Sequence, residues 1–323
     1  MPTDKPFDIF CAESLYNTDL IGLHTDFAPI FHYTSPEGFL GILNPENLVL
    51  WFSQYDSLND ITEGTHVVKI YQNVCDDLYK QHEISEEFFQ VVRQIEPMKQ
   101  DLFIYCCEDA TKNIDEDSLK FETSQQFICC FSRNDDSLPM WNYYAKGDKY
   151  EGYNIGIFFD ISKNEDIQNY YGKGYNFQIV DVIYNNDRKQ QIIRDKIKEI
   201  YPYYADNSGN PANIHRIKNV LSYFLKGLSL KFKQRCFQHE QEVRAILTIP
   251  ESNDKFKIKY RNKAGYIIPY VELSFPKKIV TNIMIGPLIN DDMAVNNIKR
   301  FVKQNGYLSC IDNIRSSEIP IRY

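Results

Sequence analysis

The chain has no C-x-x-C pair, no run of about 18 apolar residues and no basic start followed by an apolar core at MPTDKPFDIF. The first absence argues against a zinc site. The second argues against a membrane-spanning helix, and the third leads us to expect a cytoplasmic protein. Among the eight cysteines are two adjacent pairs, Cys106–Cys107 and Cys129–Cys130. Neighbours on a strand point to opposite faces and cannot share one metal ion, so reduced core thiols are expected. The common nucleotide and hydrolase signatures are missing as well. Gly172 and Gly174 are followed by Phe177 where a dinucleotide fingerprint needs glycine, and no P-loop or G-x-S-x-G elbow occurs. His239-Glu240-Gln241-Glu242-Val243 lacks the second histidine of a zinc-protease helix.

Charge of positive sign is also scarce. A net charge of −8 over 323 residues argues against broad duplex binding, which depends on neutralising phosphates. Aromatic residues are plentiful at 14%, enough for stacking surfaces as well as core. Strands are expected at 31–34, 48–53, 127–132, 153–160, 177–185, 242–249, 265–273 and 279–287, from β-branched and aromatic runs bounded by Gly, Asn and Asp. Helical spacing runs through 66–99, with Ser85 as an internal cap, through 187–235, and from Asp291 to Gly306. Clustered strands with helices between the clusters predict an α+β fold. The expected organisation is an N-terminal arm over 1–30 and one domain over 31–323, with helical insertions near 66–100 and 187–235.

Two stretches carry candidate chemistry. In FHYTSPEGFLGIL (31–43), His32 and Thr34 end a strand just where Ser35, Pro36 and Glu37 begin a helix, a corner of the kind that binds anions. In FQHEQEVRAIL (237–247), Glu240 and Glu242 would face the same side of a strand, about 6–7 Å apart, which suits stabilisation of a sugar cation and activation of a nucleophile. Each has a plain alternative. His32 alone reads as a structural histidine, and Trp51, Phe52 and Trp141 as core. The acidic pair alone reads as a solvated strand end with Arg244 as salt-bridge partner. Asn59, Asp60 and Glu63 read first as a helix cap with an acidic first turn. Tyr143 and Tyr144 stay open between core and a ligand loop. The basic residues at 188–198 and 216–235 read as a solvated helix face, with a nucleic-acid path as the alternative.

Taken in order, FHYTS (31–35), LWFSQYDSLND (50–60), FICCFSRNDDSLPMWNYYAKGDKYEGYNIGIFFD (127–160), FQHEQEVR (237–244) and the tail IRSSEIPIR (314–322) resemble a bacterial family, domain of unknown function 2971. Two departures stand out: Ile61 occupies the place of a proline in that family's Asn-Asp-Pro-x-Glu, and Phe237 stands where a Trp is usual. The family is in turn similar to ADP-ribosyltransferases, which implies a split antiparallel β-sheet core. On that resemblance His32-x-Thr34 matches a first-strand motif, Trp51-Phe52-Ser53 a second, and Glu240-x-Glu242 a third whose second Glu is catalytic.

The resemblance implies NAD as substrate, with ADP-ribose passed to a protein or nucleic-acid acceptor, and a role as toxin or phage-defence effector held by an inhibitory antitoxin-type partner. His32 and Thr34 would hold ribose or phosphate oxygens, and Ser53 would orient Glu242. Glu242 would grip the ribose 2′-hydroxyl and stabilise the cation, while Tyr33, Phe52 or Tyr55 would stack on the ligand. A non-catalytic binding module on the same fold is the first alternative. A nuclease with Mg²⁺ on Asp60, Glu63, Glu240 and Glu242 is the second.

Overall fold

The computed structural model describes residues 10–11, 14–15, 18, 21–57, 63–106, 119–145, 151–159, 175–206, 210–263, 265–289 and 291–321, leaving aside the side chains of 63–65 and 102–121. Asn59, Asp60, Gly172, Gly174 and the acidic stretch 111–118 lie outside the described residues. The chain folds as α+β and divides into two compact units, each assembled from three stretches. One takes 1–23, 58–125 and 180–237, the other 24–57, 126–179 and 238–323. No described helix is long and apolar enough to cross a membrane.

The first unit is mainly helical. Its helices Glu63–Lys80, Glu86–Val92, Asn186–Asp206 and Pro211–Ser229 correspond to the two insertions expected from periodicity. Ser85 caps as expected, its hydroxyl accepting the Phe88 N–H at 3.3 Å, and Asn210 does the same for Ala212 at 3.0 Å ahead of Pro211. The apolar stripes meet in one core around Tyr71, Leu78, Phe88, Ile197, Leu221 and Phe224. The hairpin partner of strand β3 (Leu102–Cys106) is the first part of β4 (Leu119–Ser132), pairing Leu102 with Thr123.

The basic residues of this unit do not all form a solvated face. Lys189, Lys196, Lys231 and Lys233 are buried. Three of them reach acceptors: Lys189 donates to the Lys233 carbonyl at 2.6 Å, Lys196 to Ser14 Oγ at 3.0 Å and to Glu199 at 2.6 Å, and Lys231 to the Thr18 carbonyl at 3.0 Å, while the Lys233 ammonium lies 4.9 Å from the Phe237 ring centroid. Helical spacing alone cannot show this, because a lysine stem packs as well in a core as on a rim.

The second unit is built on a sheet. Its strands are β1 (Ile30–Thr34), β2 (Leu48–Gln54), the end of β4, β5 (Tyr153–Ile157), β7 (Glu242–Pro250), β8 (Lys259–Lys263), β9 (Tyr266–Phe275), β10 (Val280–Ile285) and β11 (Ile314–Ser316). They follow the order β11-β10-β5-β1-β4-β2-β9-β8, with β7 also on β4 and β6 (Asn176–Asp181) on β7. β1 pairs antiparallel with β4 and β5, β2 with β4 and β9, β8 with β9 and β5 with β10, whereas β10 and β11 run parallel. One face carries the main core, with Leu50, Phe52, Phe127, Phe131, Ile155 and Val271 packed with Phe39 of helix Pro36–Ile42 and Val302 of helix Asp292–Gln304. A smaller cluster of Tyr33, Met140, Trp141, Ala145 and Met284 lies apart from it.

β4 is the strand that positions the site. It meets β1 at Ser132, opposite Phe31, and meets β2 at Phe127 and Ile128, opposite Gln54 and Ser53. Residues 129–131 therefore lie between two partners and pair in register with neither. Gln241, just before β7, accepts the Arg133 N–H at 2.9 Å, which brings the start of β7 to the same end of β4.

Candidate functional site

The corner at 31–35 forms as its residues dictate. Ser35 Oγ accepts the Gly38 N–H at 3.1 Å, and Pro36 opens the helix. A Cβ at Gly38 would collide with the Thr34 hydroxyl, so Thr34 packs on the first turn of this helix. The turn is thus capped and covered from within.

His32 reaches β4 instead. Its Nδ1 lies 2.9 Å from the Cys130 carbonyl, in the stretch of β4 that neither β1 nor β2 pairs. The imidazole therefore takes up a backbone acceptor that neither β1 nor β2 engages. Its ring meets Phe131 edge-on, with centroids 5.5 Å apart. Burial lowers the His32 pKa, the Cys130 hydrogen bond opposes this, and the nearby Arg261 guanidinium lowers it further. The imidazole is accordingly neutral near pH 7.

Ser53 is buried on β2 and its hydroxyl accepts from Arg261 Nη2 at 2.8 Å. The Arg261 guanidinium is thus a partner of Ser53 that the resemblance did not imply. Arg261 comes from β8, and its guanidinium carbon lies 5.6 Å from the Trp51 ring centroid and 6.0 Å from that of Tyr270. Trp51 is 44% exposed, against the core reading of that residue. Strand alternation explains the difference: Phe52 takes the core side, and Trp51 and Ser53 take the other.

The acidic motif departs most from expectation. Glu240 closes the 3-10 turn Arg235–Glu240, and Gln241 has a φ of +44°. That left-handed residue interrupts the alternation, so Glu240 and Glu242 are not successive same-side positions of one strand. Neither is solvated, at 6% and 5% exposure. Glu242 and Arg244 are same-side neighbours on β7, and they form a buried two-pronged pair, Nε to Oε1 at 2.9 Å and Nη2 to Oε2 at 3.0 Å. Val243, Ala245 and Leu247 take the opposite side, in the main core. Glu240 is fixed through its backbone, its carbonyl accepting from Ser132 Oγ at 2.7 Å.

Cys130 joins the two halves. Its carbonyl faces His32, while its thiol has a pKa well above the ordinary value, chiefly from burial and then from the Glu242 carboxylate. Cys129 faces the core, and burial pushes its thiol up to about 12. The reduced-thiol reading holds for the described cysteines, all free.

Two expected contributors sit elsewhere. Tyr33 alternates away from His32 and packs edge-on against Trp141 at 4.8 Å. Its hydroxyl donates to the Asn134 carbonyl at 2.8 Å and accepts from the Ser137 N–H at 3.0 Å. Phe52 is fully buried among Phe177 and Phe275, so its ring offers no face to a ligand. Tyr55 is half-buried in the short 3-10 turn Tyr55–Ser57. Trp141 is core, its Nε1 donating to Asp136 at 2.8 Å. Tyr143 is 53% exposed and lies 5.7 Å from the His239 ring. The four-carboxylate metal site cannot be assembled from described groups, since Asp60 and the Glu63 side chain are outside them.

Residues 140–245 match the family model described as Protein of unknown function (DUF2971). The match supports the family resemblance of this part of the chain, which contains Trp141, Glu240, Glu242 and Arg244 and excludes His32, Ser53 and Arg261. No curated protein and no solved structure matches the chain.

Arg261 is the site residue that sequence reasoning missed. KYRNK has no apolar alternation, and its strand exists through pairing with β9, where Arg261 lies opposite Ile268. A turn signal was present in Asn262-Lys263-Ala264-Gly265 ahead of the strand GYIIPY, and Gly265 does adopt a φ of +87°.

Proposed function

We propose that the chain is an NAD-consuming ADP-ribosyltransferase-like enzyme that breaks the nicotinamide–ribose bond and passes ADP-ribose to a protein or nucleic-acid acceptor. One observation carries the reading. His32, Ser53 and Glu242 come from three separate strands and converge on residues 128–132 of β4: His32 on the Cys130 carbonyl, Ser53 opposite Ile128, Glu242 beside the Cys130 thiol. A histidine, a serine and a glutamate so gathered are what the resemblance requires.

The chemistry makes few demands. Nicotinamide leaves with the electron pair of the C–N bond and departs neutral, so no strong acid is needed. The positive charge left on the ribose needs a fixed anion nearby, and Arg244 together with the Cys130 thiol holds Glu242 in one orientation. A carboxylate offers about four lone-pair positions, and the Arg244 fork uses two of them. The ribose 2′-hydroxyl would donate to this same carboxylate. The acceptor then bonds to the anomeric carbon and releases its proton, for which Glu240 is the nearest second carboxylate in sequence. A role in toxicity or phage defence, with an inhibitory protein partner, follows from the same resemblance.

The closed Arg244–Glu242 pair favours a second reading, a binding module that keeps the fold without turnover, since buried pairs of this kind also serve structure alone. Nicotinamide release from NAD, followed with cell extract and separately with RNA, separates the two. Release by the wild type that Glu242→Gln abolishes, with unchanged circular dichroism, is expected for the enzyme. No release, together with no binding of NAD by calorimetry, would sink the transferase reading and leave the module.

A further inference from the structure

Arg261 is a half-buried guanidinium whose charge has no carboxylate counterpart among the described residues. Arg244, Arg93, Arg133, Arg194 and Arg315 each meet a carboxylate. Among the described residues Arg261 meets none. Its hydrogen-bond partner among them is the neutral Ser53 hydroxyl, and its Nε is buried with no partner among them. The described groups around it supply no anion. His32 is held neutral, and the thiols of Cys129 and Cys130 are held protonated by burial. Glu242 is committed to Arg244, and Glu272, opposite Trp51 on β9, is engaged by Lys259 at 2.6 Å.

We propose that Arg261 is the anion-binding residue of this site and grips the phosphates of a nucleoside diphosphate. The guanidinium fork presents five N–H donors in a plane that matches two phosphate oxygens at once, and Ser53 occupies only one of them. Trp51 and Tyr270, whose rings lie 4.6 Å apart, flank the guanidinium, and the exposed part of the Trp51 indole offers aromatic surface beside it for a base. Burial without a partner charge is unfavourable in the free protein, so an arriving diphosphate is rewarded twice, through its own contacts and through neutralising the cation. This deepens the reading above, since it says where the diphosphate of NAD would sit, and it depends on that reading only for the identity of the nucleotide.

The test is calorimetry on the full chain with inorganic pyrophosphate, ADP-ribose, nicotinamide riboside and a single-stranded oligonucleotide, comparing wild type, Arg261→Gln and Arg261→Lys. Pyrophosphate and ADP-ribose should bind the wild type roughly tenfold or more tightly than Arg261→Gln, with Arg261→Lys between them. Nicotinamide riboside, which carries no phosphate, should not distinguish the three. Thermal melting checks folding, and the lysine variant keeps the charge should the glutamine variant fail to fold. Equal affinity of all three proteins for ADP-ribose overturns the proposal, as does an oligonucleotide that binds where pyrophosphate and ADP-ribose do not. Arg261-dependent pyrophosphate binding without nicotinamide release from NAD would retain the anion site and remove the transferase reading. Release abolished by Glu242→Gln yet unchanged in Arg261→Gln would do the reverse.

Discussion

Arg244 shows how two residues apart on a strand can decide the state of a functional group. Period-two alternation brings its guanidinium onto Glu242 in a setting where both are at least nine-tenths buried. Removing one partner strands a buried charge. Arg244→Met is therefore expected to lower unfolding free energy by about 3–5 kcal/mol, read from urea titrations. The double variant with Glu242→Met should lose far less than the sum of the two singles. Additive losses would mean that the pair is not a coupled unit. The same pairing makes Glu242→Gln a demanding test of catalysis, because it leaves Arg244 partly uncompensated, and folding has to be verified beside activity.

Strands and turns set which of these groups meet. β1 and β2 attach to β4 at positions four residues apart, at Ser132 and Ile128, and the stretch between them, in register with neither, collects His32 and the Cys130 carbonyl. Arg261 arrives on the β8–β9 hairpin, whose turn depends on Gly265 at a φ of +87°. A Cβ there would meet nothing within 4 Å, so any cost of substitution is backbone strain alone. Gly265→Ala should destabilise by about 1–2 kcal/mol with an unchanged urea m-value. A neutral result would show that the hairpin holds without this turn. The tail block is explained at this scale too. Asp136 accepts from Ser317 Oγ at 2.7 Å, from the Glu318 N–H at 2.9 Å and from Trp141 Nε1, which ties two distant family-like blocks together as structure.

At the scale of the whole molecule, each compact unit has its own treatment of charge. In the helical unit Lys189 and Lys231 are buried against backbone carbonyls, while Lys196 also meets the Glu199 carboxylate at 2.6 Å. Lys189, with His66 Nε2 at 3.1 Å and the Lys233 carbonyl at 2.6 Å, has its pKa brought from 10.5 down to about 8 by desolvation. The unfolded chain then binds more protons than the folded one between these two values, so stability rises as pH climbs from about 8 toward 10.5. Lys189→Met should flatten that rise when urea midpoints at pH 8 and 10 are compared with those of the wild type, and an unaltered pH profile would contradict a depressed Lys189. The basic stretches of this unit consequently do not read as one nucleic-acid face.

What the sequence determined by itself was local. Ser35 and Ser85 state where helices begin, because a capping hydroxyl needs only its own next turn. Apolar stripes state which helix faces are buried, and Val243, Ala245 and Leu247 fix which side of β7 faces the core. The candidate residues His32, Ser53 and Glu242 were legible only as an ordered set. Tertiary structure decided the rest. A single left-handed residue, Gln241, separated two glutamates that spacing alone puts on one side. Alternation beside a core sent Phe52 inward and Trp51 outward, although both are aromatic and adjacent. Arg261 reached the site from a strand with no apolar pattern, made a strand only by its pairing with β9. Hydrogen bonding between distant segments is invisible to periodicity, and it is what gathers charge, hydroxyl and imidazole into one place.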